Sequence, residues 1–481
     1  LCTLAELQQL QASDLRAALA DAHPGVRRWG VRLAASSGVP ADQLPELQQL
    51  AGDPDLKVRL ELATAAGALP AAVSSEILGQ LLLTTEDVWV QAAALSSLNA
   101  GNAVAVAEAV AGAGHGQQLE QLGQQAAALG TDLQLASLLL KSANERSVAG
   151  MYCYRPLLVG LLQRLLSDRP RLQRLLDQGE TGVALAQAMD RAVAEALGEQ
   201  PISDQPLAVR LLMLDPQLQH RREVVEQLLL PRREAGLQIL VVQGLSARGF
   251  EGAAELLLAR WNSLTPAVRR EAFQAIAGRR DWIAGLVTQL ESGEVAAGEL
   301  DAAQRQRLMV AADENLKARL EKLFAGDADR RAVLEAAKPV LSLQGVAERG
   351  AQIFAKRCST CHRQNGVGHE VGPNLASLTS REPAVLLHAI LDPGAAVEAK
   401  YLNFVAVTTA GRSVAGMLTT ETATGLTFLA AEGRTETLLR SEVEELRSTG
   451  KSLMPEGLEK ELSHQDLADV LEFVRGLGKS Q

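Results

Sequence analysis

Apolar residues recur at helical spacing along most of the first 340 residues, and short polar segments separate the predicted helices. Segments that begin at His23, Asp55 and Asp87 align at intervals of 32 residues, and each precedes an Ala- and Leu-rich helical run. Similar units begin at Pro266 and Asn315, although the period fades between about 115 and 230. A repeat of this length, built from two helices, predicts an α-solenoid in which each helix pair buries its apolar face against the next.

Several units carry an arginine near the start of their second helix, at Arg27, Arg59 and Arg269. In this respect the units resemble HEAT repeats. An arginine repeated at one place in such units usually bridges neighbouring repeats, so we interpret these residues as structural rather than as a binding surface.

The last 140 residues show a different pattern. Helical segments are predicted over about 346–356 and 382–391, and a final helix follows Ser463. Asp466 stands three residues after Ser463, close to a capping-box pattern. The final helix is amphipathic, because its apolar residues fall at i, i+3, i+4 and i+7; these are Leu467, Val470, Leu471 and Val474.

Between these helices the period changes from helical to alternating. Residues 403–409 alternate up to Ala410-Gly411, and 414–419 follow, which predicts a hairpin. A second strand pair is predicted over 425–429 and 435–439. The fold is therefore predicted to be mainly α: a HEAT-like solenoid over 1–340, then a helical domain over 341–481 with a small antiparallel β insert at about 400–448.

Length and composition narrow the function classes. At 481 residues the chain is too long for a single hydrophobic core, so we expect two or three domains. Its residues are 47% hydrophobic but only 3% aromatic, which favours Ala- and Leu-rich helices. We predict no membrane span, because the uncharged stretch 88–107 contains several polar residues. A net charge of −10 argues against nucleic acid as a partner. The sequence contains no recognisable signal peptide and begins at Leu1 rather than Met, so we expect a mature product or a fragment that lacks upstream sequence.

The most informative chemistry lies in Cys358-Ser359-Thr360-Cys361-His362, which has the C-x-x-C-H pattern of c-type haem attachment. Two thiols one helical turn apart can each bond a vinyl group of one porphyrin, and the adjacent imidazole can reach the iron. The alternatives are a zinc half-site and a thioredoxin-like redox pair. Zinc normally needs four ligands, and the preceding residues do not form the βαβ pattern that a thioredoxin-like pair requires. We therefore predict one covalently bound haem c.

The residues after the motif suit a porphyrin. Glycine at Gly372 would let the backbone approach a flat ring closely. The carbonyl of Pro373 could accept the Nδ1–H of His362 and fix the orientation of the imidazole. We therefore predict that Gly372 and Pro373 belong to the cofactor site.

Taken together, these motifs resemble class I cytochromes c. The resemblance covers a G-x-x-x-F helix that contains Gly350 and Phe354, the C-x-x-C-H motif, G-P-x-L, a Met-Pro pair and the final helix. It implies that the first and last helices cross, with Gly350, Phe354 and Phe473 at the contact. It also implies a methionine as second axial ligand, in the loop before the last helix, and the matching residue is Met454. The predicted iron ligands are thus His362 and Met454.

Four other side chains compete for the second axial position. Met417 lies in a predicted strand and would have to reach out of a sheet. His369 would need the glycine-rich loop to fold back over the haem, whereas His388 and His464 fit surface or core positions better.

A finer resemblance rests on I-L-D-P at 390–393, Tyr401, T-x-x-G-R at 408–412, G-x-L at 416–418 and S-L-M-P-E-G-L at 452–458. These residues are similar to the haem-binding C-terminal domain of large secreted planctomycete and verrucomicrobial proteins, which commonly follows helical repeats and a propeller like that of sugar dehydrogenases. The resemblance implies an electron-transfer module rather than an enzyme, with a redox protein or an upstream dehydrogenase domain as partner. C-type attachment also implies a periplasmic or otherwise exported location. The alternatives are a peroxidase-like or gas-binding haem protein with an open sixth position, and a scaffold whose haem is structural.

Overall fold

The structure, a computed structural model, describes residues 1–36, 45–114, 118–145, 153–198, 204–325, 328–364 and 366–477. The predicted fold class is confirmed, because helices dominate and a single antiparallel sheet interrupts them near the C-terminus of the described chain. The chain divides into two compact units, Leu1–Leu218 and Gln219–Gln481. The boundary at residue 340 stays a prediction, and the second unit contains chain from both sides of it.

The first unit is a succession of short helices whose apolar faces share one continuous core. Asp55 and Asp87, predicted to open repeats, each cap the following helix by accepting two backbone N–H bonds. The helices are α1 Cys2–Glu6, α2 Ala12–Leu19, α3 Pro24–Ser36, α4 Glu46–Gln49, α5 Leu56–Ala66, α6 Ala71–Thr84, α7 Val88–Ser96, α8 Ala103–Gly112, α9 Leu119–Leu129, α10 Asp132–Asn144, α11 Arg155–Leu165, α12 Arg169–Leu176, α13 Thr181–Ala196 and α14 Gln205–Leu212.

Arg27 shows how neighbouring repeats are joined. Its guanidinium donates to both carboxylate oxygens of Asp53, at 2.7 and 2.8 Å, and also to the backbone carbonyls of Asp21 and Ala22. The side chain of Asp53 is only 3% exposed. The interpretation of Arg27 as a structural bridge is confirmed.

The second unit combines helices with the sheet. Its helices are α15 Arg222–Leu228, α16 Ala235–Arg248, α17 Ala253–Ala259, α18 Pro266–Ala277, α19 Arg280–Ser292, α20 Ala302–Ala311, α21 Glu314–Phe324, α22 Ala328–Ala337, α23 Ala347–Arg357, α24 Pro383–Leu391 and α25 His464–Gly476. The strands are β1 Leu402–Thr408, β2 Ser413–Glu421, β3 Gly425–Leu429, β4 Thr435–Leu439 and β5 Val443–Ser452.

The five strands form one sheet in the order β4-β3-β2-β1-β5, with every neighbouring pair antiparallel. Both predicted hairpins are present, but β5 was not predicted as a strand. Its alternation is hidden in the sequence because two of its inward positions are Ser448 and Gly450, which are not apolar.

Arg440, at the end of β4, ties the sheet to the helical part of the second unit. Its side chain is 2% exposed and donates to the carbonyls of Pro231 and Arg233 at 2.9 and 2.8 Å. It also donates to the Thr422 carbonyl and pairs with Glu421. A buried guanidinium satisfied in this way fixes the sheet edge against the loop between α15 and α16.

Helices α23 and α25 cross in close contact. The rings of Phe354 and Phe473 lie 5.3 Å apart at 52°. A Cβ on Gly350 would lie only 2.0 Å from the backbone oxygen of Asp469, so glycine is required for this approach. Ser463 and Asp466 form the predicted capping box at the start of α25, whose four predicted apolar positions are all buried. Residues of both crossing helices line a cavity in the same unit.

Candidate functional site

A cavity of about 710 Å³ opens in the second unit between α23, α24, the sheet and the loop before α25. Its walls are mainly apolar, and its volume is in the range of cofactor sites. All six residues predicted for the site line this single cavity: Cys358, Cys361, His362, Gly372, Pro373 and Met454.

The attachment motif forms one turn at the C-terminal end of α23. The backbone N–H groups of Cys361 and His362 both donate to the carbonyl of Cys358, at 3.1 and 2.9 Å. Burial raises the pKa of Cys358 to about 11, with a contribution from the nearby Cys361, and burial also raises the pKa of Cys361. A thioredoxin-like pair would have a lowered pKa at a helix N-terminus, so this arrangement does not suit one.

His362 is held in one orientation by the residues that follow the motif. Its side chain is buried, and Nδ1 lies 3.0 Å from the carbonyl oxygen of Pro373. Since a carbonyl only accepts, Nδ1 carries the proton and Nε2 is left as the nitrogen that can bind a metal. Burial lowers the pKa of His362 despite the opposing effect of Pro373, which favours the neutral imidazole that ligation needs.

Gly372 packs directly against this imidazole. A Cβ there would lie 2.4 Å from Cε1 of His362 and 2.7 Å from its Nδ1. The Gly372 N–H also donates to the Cys361 carbonyl at 2.6 Å, and that of Val371 donates to the same oxygen at 2.9 Å. The loop therefore wraps the motif so closely that only glycine fits beside the ring.

These features fit a covalently attached porphyrin. Two thiols and a pre-oriented imidazole open onto the same apolar cavity. The remaining lining is what a flat apolar ring requires, with Phe354, Val371, Leu375 and Leu386 among its members. The residues present therefore suit haem c, with Cys358 and Cys361 as anchors and His362 as the axial ligand.

Two thioethers reach the same cavity. Met454 is half-buried in a bend, where its N–H donates to Ser452 Oγ at 3.1 Å. Met417, in β2, is only 3% exposed and also lines the cavity. Its place in β2 therefore does not keep Met417 away from the site, because this strand itself lines the cavity.

The histidines separate into two groups. His388, on α24, is exposed, as expected of a surface residue, and it also lines the cavity. Neither His369 nor His464 is among the lining residues. Tyr401 lines the cavity too, and the sequence carried no signal for it beyond its place in the finer resemblance.

Among the residues that the structure describes, no group of three or more His, Cys, Asp or Glu side chains is arranged to hold a metal ion, so a zinc half-site would lack partners there. No described helix is long and apolar enough to cross a membrane.

Comparison with known proteins agrees with this arrangement. Residues 12–99 match the family model of HEAT repeats, and residues 347–406 match that of cytochrome c. These two matches confirm the predicted order of helical repeats followed by a cytochrome c domain. A structure titled "Homology model of the full-length AP-3 complex in an intermediate open conformation" is similar at 11% identity, over 67% of this chain and 82% of that one. Its TM-score of 0.18 is too low to support any argument about this chain.

Proposed function

We propose that this chain is an electron-transfer module that carries one haem c with His362 and Met454 as axial ligands. The observation that carries the proposal is the His362 imidazole, fixed by Pro373 beside two thiols and facing a cavity that contains a thioether. The sequence contains one C-x-x-C-H motif, so one attachment site is proposed.

When bound, the haem supplies a one-electron couple between ferric and ferrous iron. The protein's contribution is to hold and insulate it. Cys358 and Cys361 would tether the porphyrin, and Pro373 holds the His362 ring so that Nε2 would be free to bind the iron. Met454 would supply a neutral thioether, a ligand that raises the reduction potential relative to a second imidazole. The mainly apolar lining would set how deeply the haem is buried, which is a second way in which the protein tunes it.

The second candidate is a peroxidase-like or gas-binding protein with an open sixth position. It is favoured by the partial exposure of Met454 and by two polar side chains, His388 and Tyr401, at the same cavity. A sixth position closed by sulfur supports electron transfer, whereas an open one supports this alternative.

The surroundings of the module are inferred from chemistry and resemblance. Attachment of this type is completed outside the cytoplasm, so we infer a periplasmic or otherwise exported location. The helical repeats would serve as scaffold or docking surface, and the electron donor would be a redox protein or an upstream dehydrogenase domain. The dehydrogenase rests on resemblance alone.

The test uses the full chain matured in a host competent for c-type attachment. A pyridine haemochrome assay should report one haem with two thioether bonds, and the ferric protein should be low-spin with the weak long-wavelength band of sulfur ligation. Met454→Ala should lose that band and make the ferrous form bind carbon monoxide.

Met417→Leu is the matched control, because it removes the other thioether of the cavity while keeping an apolar side chain of similar volume. It should leave the band in place. If Met417→Leu abolishes the band and Met454→Ala does not, the assignment of the distal ligand is wrong. Colourless protein with both thiols free to alkylate would refute the haem itself.

A further inference from the structure

Glu299 is a buried carboxylate that joins the helical part of the second unit to β5. It is 3% exposed, and its Oε2 accepts a bond of 2.6 Å from Trp261 Nε1 and pairs with Arg269 at 3.1 Å. Its Oε1 accepts from Ser448 Oγ at 2.7 Å. Ser448 lies in β5, the strand that runs directly into the Met454 loop. The carboxylate thus fixes the strand from which that loop departs.

Close packing reinforces this anchor. Gly450, two residues further along β5, has a φ of +70°, and its N–H donates to Ser448 Oγ at 3.1 Å. A Cβ on Gly450 would lie 2.7 Å from that of Ala296, which leaves no space between the strand and the helical segment. The strand cannot slide on its support without a clash.

Arg305 and Gly298 hold a second wall of the cavity. Arg305, on α20, donates to the carbonyls of Leu300 and Ala297 at 2.8 and 2.9 Å, and also to the carbonyl of Ala395. The N–H of Val397 donates to the Gly298 carbonyl at 2.8 Å. The segment 392–398 that contains Ala395 and Val397 contributes six residues to the cavity lining.

The two anchored segments meet at Met454. The N–H of Leu453 donates to the carbonyl of Tyr401 at 3.4 Å, just beyond the anchored wall. Gly394 lies against Glu456, since a Cβ there would be 3.4 Å from its carboxylate oxygen. The Met454 loop therefore lies between β5 and the segment 392–398, and both of these are held by contacts with residues 296–305.

We propose that Glu299 and Arg305 are positioning residues for Met454, so that the helices before residue 340 form part of the haem site's support. This inference rests on the proposed function, because it concerns the sulfur ligand assigned there. A loop whose ends are already fixed loses less conformational freedom when its methionine binds iron, which favours the closed sixth position. Neither residue lines the cavity, so Arg305 acts through the backbone carbonyl of Ala395 and Glu299 acts through the Ser448 side chain of β5.

The experiment compares Glu299→Gln and Arg305→Lys in the full, haem-loaded chain. Each conserves size or charge but removes part of the anchor. We expect haem content to stay normal, the sulfur-to-iron band to weaken, and the rate of carbon monoxide binding to the ferrous form to rise by about tenfold or more, the scale on which partners outside the ligand shell act. The matched control is Glu291→Gln, which breaks the exposed pair between Glu291 and Arg319 in the same group of helices. It should change neither readout.

A second measurement is independent of the iron. Hydrogen exchange at the Val397 amide reports directly on its bond to Gly298 and should accelerate in Arg305→Lys and in Gly298→Ala, whose Cβ would lie 2.1 Å from the Gly394 oxygen. Unchanged exchange together with an unchanged band and binding rate in the anchor variants would overturn the inference.

Failure of the two proposals can be told apart. Wild-type protein without covalent haem refutes the proposed function. Wild-type protein with haem and the sulfur band, but anchor variants indistinguishable from it, refutes only the positioning role. Wild-type protein with haem but no sulfur band also overturns the positioning role, because the bond to be positioned is then missing.

Discussion

Gly350 on α23 and Asp469 on α25 meet backbone to backbone: a Cβ on Gly350 would lie 2.0 Å from the oxygen of Asp469. The carboxylate of Asp469 turns back to the N-terminal end of α23, where it accepts from the Val346 N–H at 2.8 Å and from Arg349 at 2.6 Å. One residue of α25 thus sets both the distance and the rotation of the two helices. Because Phe354 lies further along α23 and Cys358 directly follows this helix, the contact also positions the attachment motif.

Gly350→Ala should destabilise the second unit by about 2 kcal/mol or more, because the added methyl overlaps a backbone that cannot move away cheaply. Thermal unfolding followed at the haem absorption measures the effect. Gly476→Ala is the control at the far end of α25, where a Cβ meets nothing within 4 Å. It should be neutral or slightly stabilising. Equal melting temperatures for the two variants would contradict the crossing described here.

Asp469 gives the second unit a specific sensitivity to acid. The guanidinium of Arg349, aided by the Val346 N–H, lowers the pKa of Asp469 to about 2. A carboxyl whose pKa is lower in the folded than in the unfolded protein stabilises the folded state. This stabilisation is complete at pH values above the unfolded-state pKa of about 4, and it is lost as the pH falls toward 2. Because Arg349 is 54% exposed and solvent screens the pair, the contribution is about 1 kcal/mol.

Denaturant unfolding measured between pH 5 and 2 should therefore show a stability loss that Asp469→Asn lacks, with the variant already weaker at pH 5. If the wild type and Asp469→Asn lose stability in parallel over this window, Asp469 is not the group responsible.

Gly372→Ala should displace the His362 imidazole, because the new Cβ would lie 2.4 Å from Cε1. We expect the covalent haem to remain, since the thiols are untouched, while the ferric spectrum shifts toward high spin and imidazole added in solution binds roughly tenfold more tightly. Absorption spectroscopy checks both effects. If the variant keeps the wild-type spectrum and the wild-type affinity for added imidazole, the loop can open without moving the ring.

Arg27→Ala should weaken the N-terminal repeats by about 3 kcal/mol, because it leaves the buried carboxylate of Asp53 without its cation. Hydrogen exchange of α5 amides would report this loss. Arg32→Ala is the control, because Arg32 is 52% exposed and its partner Glu61 keeps a second contact with Arg28. It should cost about 0.5 kcal/mol. Similar exchange in the two variants would contradict the bridging role of Arg27.

Local patterns predicted the elements that determine the site. The spacing of Cys358, Cys361 and His362 identified the chemistry, since covalent attachment depends on neighbours in sequence. The final helix and both hairpins followed from the period of apolar residues, and the Ser463 cap followed from the aspartate three residues after it. These features are local, so a short window of residues contains the whole signal.

Long-range contacts could not be predicted in the same way. Met417 and His388 line the cavity because of the way in which β2 and α24 pack. The alternation of a strand or the period of a helix shows which residues share a face, but not which other element that face contacts. Glu299 was missed for a similar reason. Its partners Trp261 and Ser448 lie 38 and 149 residues away, and a lone glutamate between two helices looks solvent-exposed in sequence.

The buried Arg440 limits how this cytochrome domain could be transplanted. A chimaera that joined residues 341–481 to a foreign helical scaffold would retain the guanidinium but lose the carbonyls of Pro231 and Arg233 that receive it. The same cut would leave Ser448 without the Glu299 carboxylate. A graft that keeps these contacts has to include the preceding helices, so it would begin near residue 219, where the second unit starts.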